Sequence, residues 1–423
     1  MRKEYMMNEE QKQDIPDADL VAQGLQKIRW AEMHQRLLQR LRVKFSETKP
    51  FARLTIGMCL HVEPKTAVLC SVLQAGGAKV VITGSPGTTK NEVAAALRYN
   101  GVIVFGQLED DSIRHQENIE QVPSHDPHLF LDNGADLVAM HLAQSARGRV
   151  FAGTEETTTG ANRLRGELRS TLTFPIIVIN DSPLKLMMEN EHGVGPTIVE
   201  GFMRETNLLV QSKRFVVFGY GSVGRGIARS LRRLGGHVTV VEVDPIRALE
   251  AVLDGMSVTT LEGAISLGEV FITATGRPVA IAGESLDRLP DGAILANAGH
   301  FSWEIDIAEL RKRAITIERF REWVELFTLE DGRRITLLAQ GEMLNLAGGG
   351  GNPIETMDLG FALQAQSLAY LATQYRKLPI GPQPVPGEIN ATVASWMVEN
   401  LSRRGFCKVI PNVSLYYDRF QSF

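Results

Sequence analysis

Cysteine is scarce and scattered. The chain holds three, Cys59, Cys70 and Cys407, too few and too unevenly placed for a disulfide framework or for the paired spacing of a metal motif. Reduced thiols and no bound metal are therefore expected. Long apolar runs are missing as well: stretches such as Phe174–Ile179 fall far short of the ~20 residues that cross a bilayer. The charged start, Met1 to Gln13, lacks the apolar centre of a secretory signal, so the expectation is a cytoplasmic protein that engages no membrane. Charge of one sign is not accumulated either. Basic and acidic residues number 45 and 49 with no long block of either, which excludes the electrostatic footprint of a nucleic-acid binder. A small ligand is the expectation. What the chain does have is bulk: 423 residues, 44% of them hydrophobic, are enough for two or three domains at ~100–200 residues each.

Periodicity organises that bulk. Met33, Leu37 and Leu41 recur at fours within Ala18–Phe45, which predicts one amphipathic helix that packs rather than catalyses. From Arg53, short apolar runs alternate with helical stretches: Leu54–Leu60, Thr66–Leu73, Lys79–Thr83, Glu92–Tyr99 and Val102–Phe105. This rhythm, resumed at Leu129–Leu131 and Pro175–Ile179, predicts a parallel sheet covered by helices. A helical stretch at Pro196–Val210 looks able to connect two domains, and a second α/β unit starts at Arg214. The glycines of Leu346–Gly351 suit a hinge or a backbone that approaches a ligand, and are read as the return crossing between domains. The proline-rich run after Leu378 is expected to break regular structure before a tail helix at Ala391–Leu401.

The strongest local signal is the apolar run Phe215–Phe218 followed by Gly219-Tyr-Gly221-Ser222-Val223-Gly224 and a helical stretch. In a Rossmann unit the first glycine makes a tight turn, the second admits the pyrophosphate, and the third lets helix pack on strand. A second strand, Val238–Val241, runs into Glu242 about 20 residues on. A carboxylate there accepts from ribose hydroxyls and repels a 2′-phosphate, so the cofactor reading is NAD. Arg247 is read as a solvated helix residue.

Four motifs in one order, Thr154–Gly160, Val178–Ser182, Gly219–Gly224 and Gly299-His-Phe301, make the chain resemble the S-adenosylhomocysteine hydrolases from about Arg53 to Glu388. The form Leu60-His-Val-Glu-Pro-Lys-Thr66 is similar to the archaeal and thermophile-like branch. The resemblance implies an α/β protein of two domains, a Rossmann NAD-binding domain and an α/β substrate-binding domain with a parallel sheet. The expected division is residues 1–190 for substrate, 191–350 for NAD, 351–385 returning to the substrate domain, and 386–423 as a C-terminal tail. It also implies a homo-oligomer, tetramer or dimer, and a chemistry that uses NAD without consuming it: transient oxidation of a nucleoside 3′-hydroxyl, loss of the acidified 4′ proton, exchange at the 5′ position, and re-reduction.

Carried over by position, the resemblance assigns Thr157, Thr158, Thr159, Asn190, Glu242, Thr275, Gly276, Asn297, Gly299 and Asn345 to the cofactor, beside the glycine turn with Ser222 and Val223. It assigns Glu156 to the ribose hydroxyls, Lys185 to the base at the 3′-hydroxyl, and His61 and His300 to proton transfer. Glu63, Thr88 and Asn352 fall on the substrate side, and Glu155 reads as a structural neighbour.

Where the family has a catalytic aspartate, this chain has Asn133, in Leu131-Asp-Asn-Gly-Ala-Asp136; an amide cannot serve as a carboxylate base. The family's Gly-His-Pro is Gly351-Asn352-Pro353, and its aspartate before Asn190 is Glu189, which in a helix stands four residues from Lys185 and can hold it. Met187 replaces a second lysine outside the site, Thr88-Thr-Lys-Asn91 replaces Ser-Thr-Gln-Asp, and neither Tyr416 nor Tyr417 stands in for the family's C-terminal tyrosine. The NAD half and the 3′-oxidation group are kept while the groups at the 4′ and 5′ end are rewritten. The leading expectation is thus 3′-oxidation of an adenosine-type nucleoside ending in elimination, dehydration or epimerisation. The alternatives are ordinary S-adenosylhomocysteine hydrolysis and an inactive NAD-binding regulator.

Overall fold

The computed structural model describes residues 17–85, 87–144, 149–299 and 302–402. Strands follow in chain order as β1 (Thr55–Cys59), β2 (Lys79–Thr83), β3 (Ile103–Phe105), β4 (Leu129–Asp132), β5 (Ala152–Glu155), β6 (Pro175–Val178), β7 (Arg214–Phe218), β8 (His237–Val241), β9 (Ser257–Val258), β10 (Val270–Thr273), β11 (Ile294–Asn297), β12 (Ala314–Arg321), β13 (Val324–Leu329), β14 (Arg334–Leu338) and β15 (Gly381–Pro384). They form two sheets. The first has the order β15-β6-β5-β4-β1-β2-β3, the second β12-β13-β14-β11-β10-β7-β8-β9.

All pairs in the first sheet are parallel. Its inner strands are apolar on both faces because helices cover both: Ile56 and Met58 of β1 enter one core and Cys59 the other, while Val80 and Ile82 of β2 oppose Val81. The second sheet repeats this rule, with Phe215 and Val217 in one core and Val216 and Phe218 in the other. Its far edge departs from the expected parallel pattern, since β12, β13 and β14 are antiparallel. In each sheet the order reverses beside the first strand, between β1 and β4 and between β7 and β10. Connections leave such a point in opposite directions and open a crevice at the strand C-termini, so topology alone brings together the loops after β1 and β4, and those after β7 and β10.

Three expectations need correction. The single helix over Ala18–Phe45 is two, α1 (Ala18–His34) and α2 (Arg36–Thr48), broken at Gln35 with φ −94° and ψ 75°. The break is held from elsewhere: the buried carboxylate of Asp358 accepts from the N–H groups of Leu37 and Leu38 at 2.8 and 2.9 Å, capping the first turn of α2. The change of direction leaves Met33 56% exposed while Leu37 and Leu41 are buried. Second, the proline run does not break regular structure throughout, since Gly381–Pro384 pairs in parallel with β6; an edge strand needs donors on one side only, so Pro382 and Pro384 are tolerated. Third, the connecting helix covers Gly195–Thr206, and a π-helical segment, Leu186–Val194, precedes it.

Asp358 yields a pH prediction. Burial, opposed by the Leu37 and Leu38 N–H groups, pushes its carboxyl from 3.8 up to about 7. The folded value lies above the unfolded one, so the native state holds an extra proton between these limits and stability falls as pH rises through that window, by on the order of 4 kcal/mol at most. The thermal midpoint of Asp358→Asn should fall less steeply between about pH 4 and 7 than that of the parent chain.

Candidate active site

The loops after β1 and β4 carry His61 and Asn133, and the Asn133 Nδ2 lies 3.5 Å from His61 Nε2. His61 opens onto a cavity of about 800 Å³ that Glu63, Lys65, Thr88 and the backbone of Gly349–Gly351 also line. Burial, partly offset by Lys65, raises the Glu63 carboxyl above its ordinary range. Lys65 spends its donors locally, on Gly350 O at 3.0 Å, Asn352 O at 3.1 Å and Glu63 Oε2 at 3.0 Å. It ties the glycine crossing to the first sheet's helix Pro64–Ala75.

Asn352, whose carbonyl Lys65 holds, links this wall to a buried polar cluster. Lys185 Nζ donates to Asn190 Oδ1 at 2.9 Å, with Glu189 Oε1 at 3.3 Å and Glu156 Oε1 at 4.0 Å. The π-helical geometry still brings Lys185 and Glu189 together. Glu156 accepts from Gln364, and burial followed by the Glu189 charge raises its carboxyl to about 8. Oxygens Oε1 of Glu156 and Oε2 of Glu189 are buried and accept no hydrogen bond. Buried acceptors are ordinarily satisfied, so both fit the hydroxyls of a bound polyol. Asn352 reaches Glu189 Oε1 at 3.5 Å and accepts from Asn345 at 3.2 Å. Met187 is half exposed, outside the cluster.

The cluster touches the second sheet directly. Asn190 Nδ2 donates to Ser222 Oγ at 3.3 Å, in the turn after β7. The turn is built as the glycine pattern demands: Gly219 has φ +91°, and a Cβ on Gly224 would lie 2.0 Å from Gly219 O. A Cβ on Gly221 would meet nothing nearer than the Arg247 guanidinium at 3.6 Å, and one on Gly276 nothing within 4 Å. That open backbone, at the N-terminus of the helix Ser222–Arg233, fits a pyrophosphate. Arg247 is an exposed helix residue, and its guanidinium lies 3.6 Å from where a Cβ on Gly221 would stand. Glu242 directly follows β8, held by the N–H groups of Tyr220, Val243 and Asp244, where a ribose is read. Val223 packs on the core beneath.

Other predicted residues hold loops. Thr157 caps the helix Thr158–Arg165, accepting from Gly160 N at 3.0 Å and donating to Glu155 at 2.7 Å; Thr158 and Thr159 open that helix. Glu155, fully buried, accepts from the N–H groups of Gly134, Ala135 and Thr157, and so ties the loops after β4 and β5 together. Asn297 accepts from Thr273 and Gly299 and donates to Gly341. Asn345 donates to Thr197 Oγ1 at 3.1 Å. His300, Tyr416 and Tyr417 lie outside the described residues.

Sequence reasoning misses Gln364, Asn180 and Glu304. Glu304 is 1% exposed and accepts from Thr275 N, Thr275 Oγ1 and Gly276 N, each at 2.8 Å, so it shapes the second loop of the cofactor crevice. Its place three residues after the Gly299-His-Phe301 motif is the one signal the sequence offers. Glu304→Ala strips three acceptor contacts from that loop and should weaken NAD retention ~10-fold or more, at ~1.4 kcal/mol per tenfold, checked by NAD content after gel filtration.

No helix among the described residues is long and apolar enough to cross a membrane. Comparison with known proteins gives the family. A family model described as S-adenosyl-L-homocysteine hydrolase matches residues 12–152, and one described as S-adenosyl-L-homocysteine hydrolase, NAD binding domain, matches residues 190–351. The chain is 44% identical to an S-inosyl-L-homocysteine hydrolase from Methanopyrus kandleri, covering 92% of each chain. It is 41% identical to adenosylhomocysteinases from Saccharolobus solfataricus and Aquifex aeolicus, covering 90% of this chain and 92% of theirs. The chain belongs to the S-adenosyl-L-homocysteine hydrolase family, and its cofactor is NAD.

Proposed function

We propose that this chain hydrolyses a purine-nucleosyl L-homocysteine thioether, the S-inosyl or S-adenosyl compound, to the free nucleoside and homocysteine. The observation that carries this reading is the buried Lys185–Glu156–Glu189 cluster joined through Asn190 to Ser222 of the dinucleotide turn. It sets two acceptors that carry no hydrogen bond beside the cofactor crevice, where sugar hydroxyls can reach them. When bound, NAD supplies the reversible oxidation at the sugar's 3′ carbon. Glu156 and Glu189 hold the sugar hydroxyls, and Lys185, fixed by Asn190, hands a proton to the adjoining Glu189 carboxylate and, as the free amine, takes the hydroxyl proton. Asn133 and Asn352 can orient but cannot exchange protons. Proton traffic at the 4′ and 5′ end therefore falls to His61 and to Glu63, whose raised carboxyl suits a donor to a departing thiolate. Ordinary hydrolysis thus takes precedence over the elimination, dehydration or epimerisation that the substitutions alone favour, because relatives covering nearly the whole chain are named hydrolases.

A second reading keeps one observation on its side: the amides of Asn133 and Asn352 stand where the resemblance places an aspartate and a histidine. It ends in an unsaturated or epimerised nucleoside instead. The experiment is incubation of the purified protein with S-inosyl- and S-adenosyl-L-homocysteine, with thiol titration and separation of the nucleosides. Equal amounts of free homocysteine and intact nucleoside are expected, and the substrate that reacts identifies the base. An altered nucleoside without water added would favour the second reading, and no product from either compound would contradict both.

A further inference from the structure

Cys59, His115 and Asp136 belong to three separated stretches of chain, yet one ligand atom from each lies within 4.8 Å of the others. Cys59 ends β1, His115 sits on the helix Ser112–Gln121, and Asp136 opens the helix Asp136–Ala143. No part of the reaction proposed above uses them. The Cys59 thiol is free and fully buried. His115 Nε2 stands 3.7 Å from Asp136 Oδ2, and its Nδ1 is buried with no hydrogen-bond partner. Arg163 donates to the other carboxylate oxygen, Asp136 Oδ1, at 2.7 Å and to Gly134 O, which leaves Oδ2 turned toward the histidine.

We infer that Cys59, His115 and Asp136 form a binding site for a soft divalent cation of the zinc class. Thiolate, imidazole and carboxylate together are a zinc ligand set, and at bond lengths of ~2.0–2.3 Å their donor atoms stand about 3.5 Å apart in a tetrahedron. The observed spacing reaches this with side-chain rotation of about an ångström. Arg163 plays the part of an outer partner that orients a ligating carboxylate, although its own charge opposes the cation. Binding displaces the thiol proton to solvent and forms the sulfur–metal bond with no change of oxidation state. Three protein ligands leave one position for water.

The place of the site gives it a consequence. Cys59 is two residues before His61, and Asp136 three after Asn133. A cation joining them clamps the loops after β1 and β4 and so fixes the His61–Asn133 pair.

The test uses full-length protein stripped with a chelator and titrated with cobalt(II) chloride, then with zinc(II) in competition. One equivalent should give a near-ultraviolet thiolate-to-cobalt band that zinc abolishes, and zinc should raise the thermal midpoint. Cys59→Ser should lose the band, and Cys70→Ser and Cys407→Ser should keep it. His115→Gln and Asp136→Asn, nearly isosteric, should bind at least ~10–100-fold more weakly, the range lost even when only an outer partner is removed. If Cys59→Ser fails to fold, these two variants decide the matter. No thiolate band, or binding unchanged in His115→Gln and Asp136→Asn, overturns the site and leaves only adventitious metal.

Discussion

Replacing Lys185 by methionine should lower turnover of the nucleosyl thioether by ~10²–10⁴-fold, the range for loss of a positioned proton-transfer group, while the NAD released on denaturation should stay near one per chain. The same change destabilises the fold. Lys185 is the cation beside the buried Glu189 carboxylate, with the Glu156 carboxyl at the limit of reach, and breaking a buried ion pair from one side costs about 3–5 kcal/mol. Arginine separates the two effects. Lys185→Arg keeps the charge, so denaturant unfolding should stay closer to the parent, but a guanidinium does not give up its proton near neutrality and turnover should remain low. A Lys185→Arg variant with parental kcat would show that Lys185 acts only as a counter-ion.

Cofactor retention should be lost outright in Gly224→Ala. Its Cβ would lie 2.0 Å from the carbonyl oxygen of Gly219, backbone that cannot rotate away, so the turn must open and the pyrophosphate seat goes with it. Gly221→Ala makes the informative contrast. Its Cβ meets only the flexible end of Arg247, at 3.6 Å, so the folded chain should tolerate it with little change in thermal midpoint. A methyl there nevertheless fills the space the phosphates need, and NAD content should drop ~10-fold or more, as befits a loss of ~1.4 kcal/mol or greater. Gel filtration followed by acid release of nucleotide checks both. If Gly221→Ala retained NAD as the parent does, the cofactor would lie elsewhere.

The dinucleotide turn is legible in the sequence because its chemistry leaves few choices. A glycine at φ +91°, a glycine under a carbonyl and a carboxylate at the end of the next strand are demanded by one ligand and written within about 25 residues. The parallel sheet is legible for a like reason, since β1, β2 and β4 centre on short apolar runs. What escapes a reading of the sequence depends on partners far along the chain. Nothing near Gln35 announces a break, because Asp358, more than three hundred residues on, supplies the cap. Gln364 lies inside a long apolar helix with no motif around it, and only the fold brings its amide to Glu156. The strand β15 escapes because proline argues against strands in general and not against a sheet's outer edge. β5 escapes because Ala152–Glu155 mixes small and acidic residues, and its glutamate is tolerated through hydrogen bonds from a neighbouring loop.

Substrate chemistry at the 5′ end is the least legible part. Asn133 and Asn352 are visible as departures, but the roles proposed for His61 and Glu63 rest on their both lining the cavity. The proposed reaction rests on the sugar of a bound nucleoside facing NAD across the Lys185 cluster. The most direct measurement is the absorbance of reduced nicotinamide on rapid mixing of purified, NAD-loaded protein with adenosine or inosine. A rise that saturates with nucleoside, and is absent in Lys185→Met, is predicted; a fully loaded protein that shows no reduction with either nucleoside would contradict it.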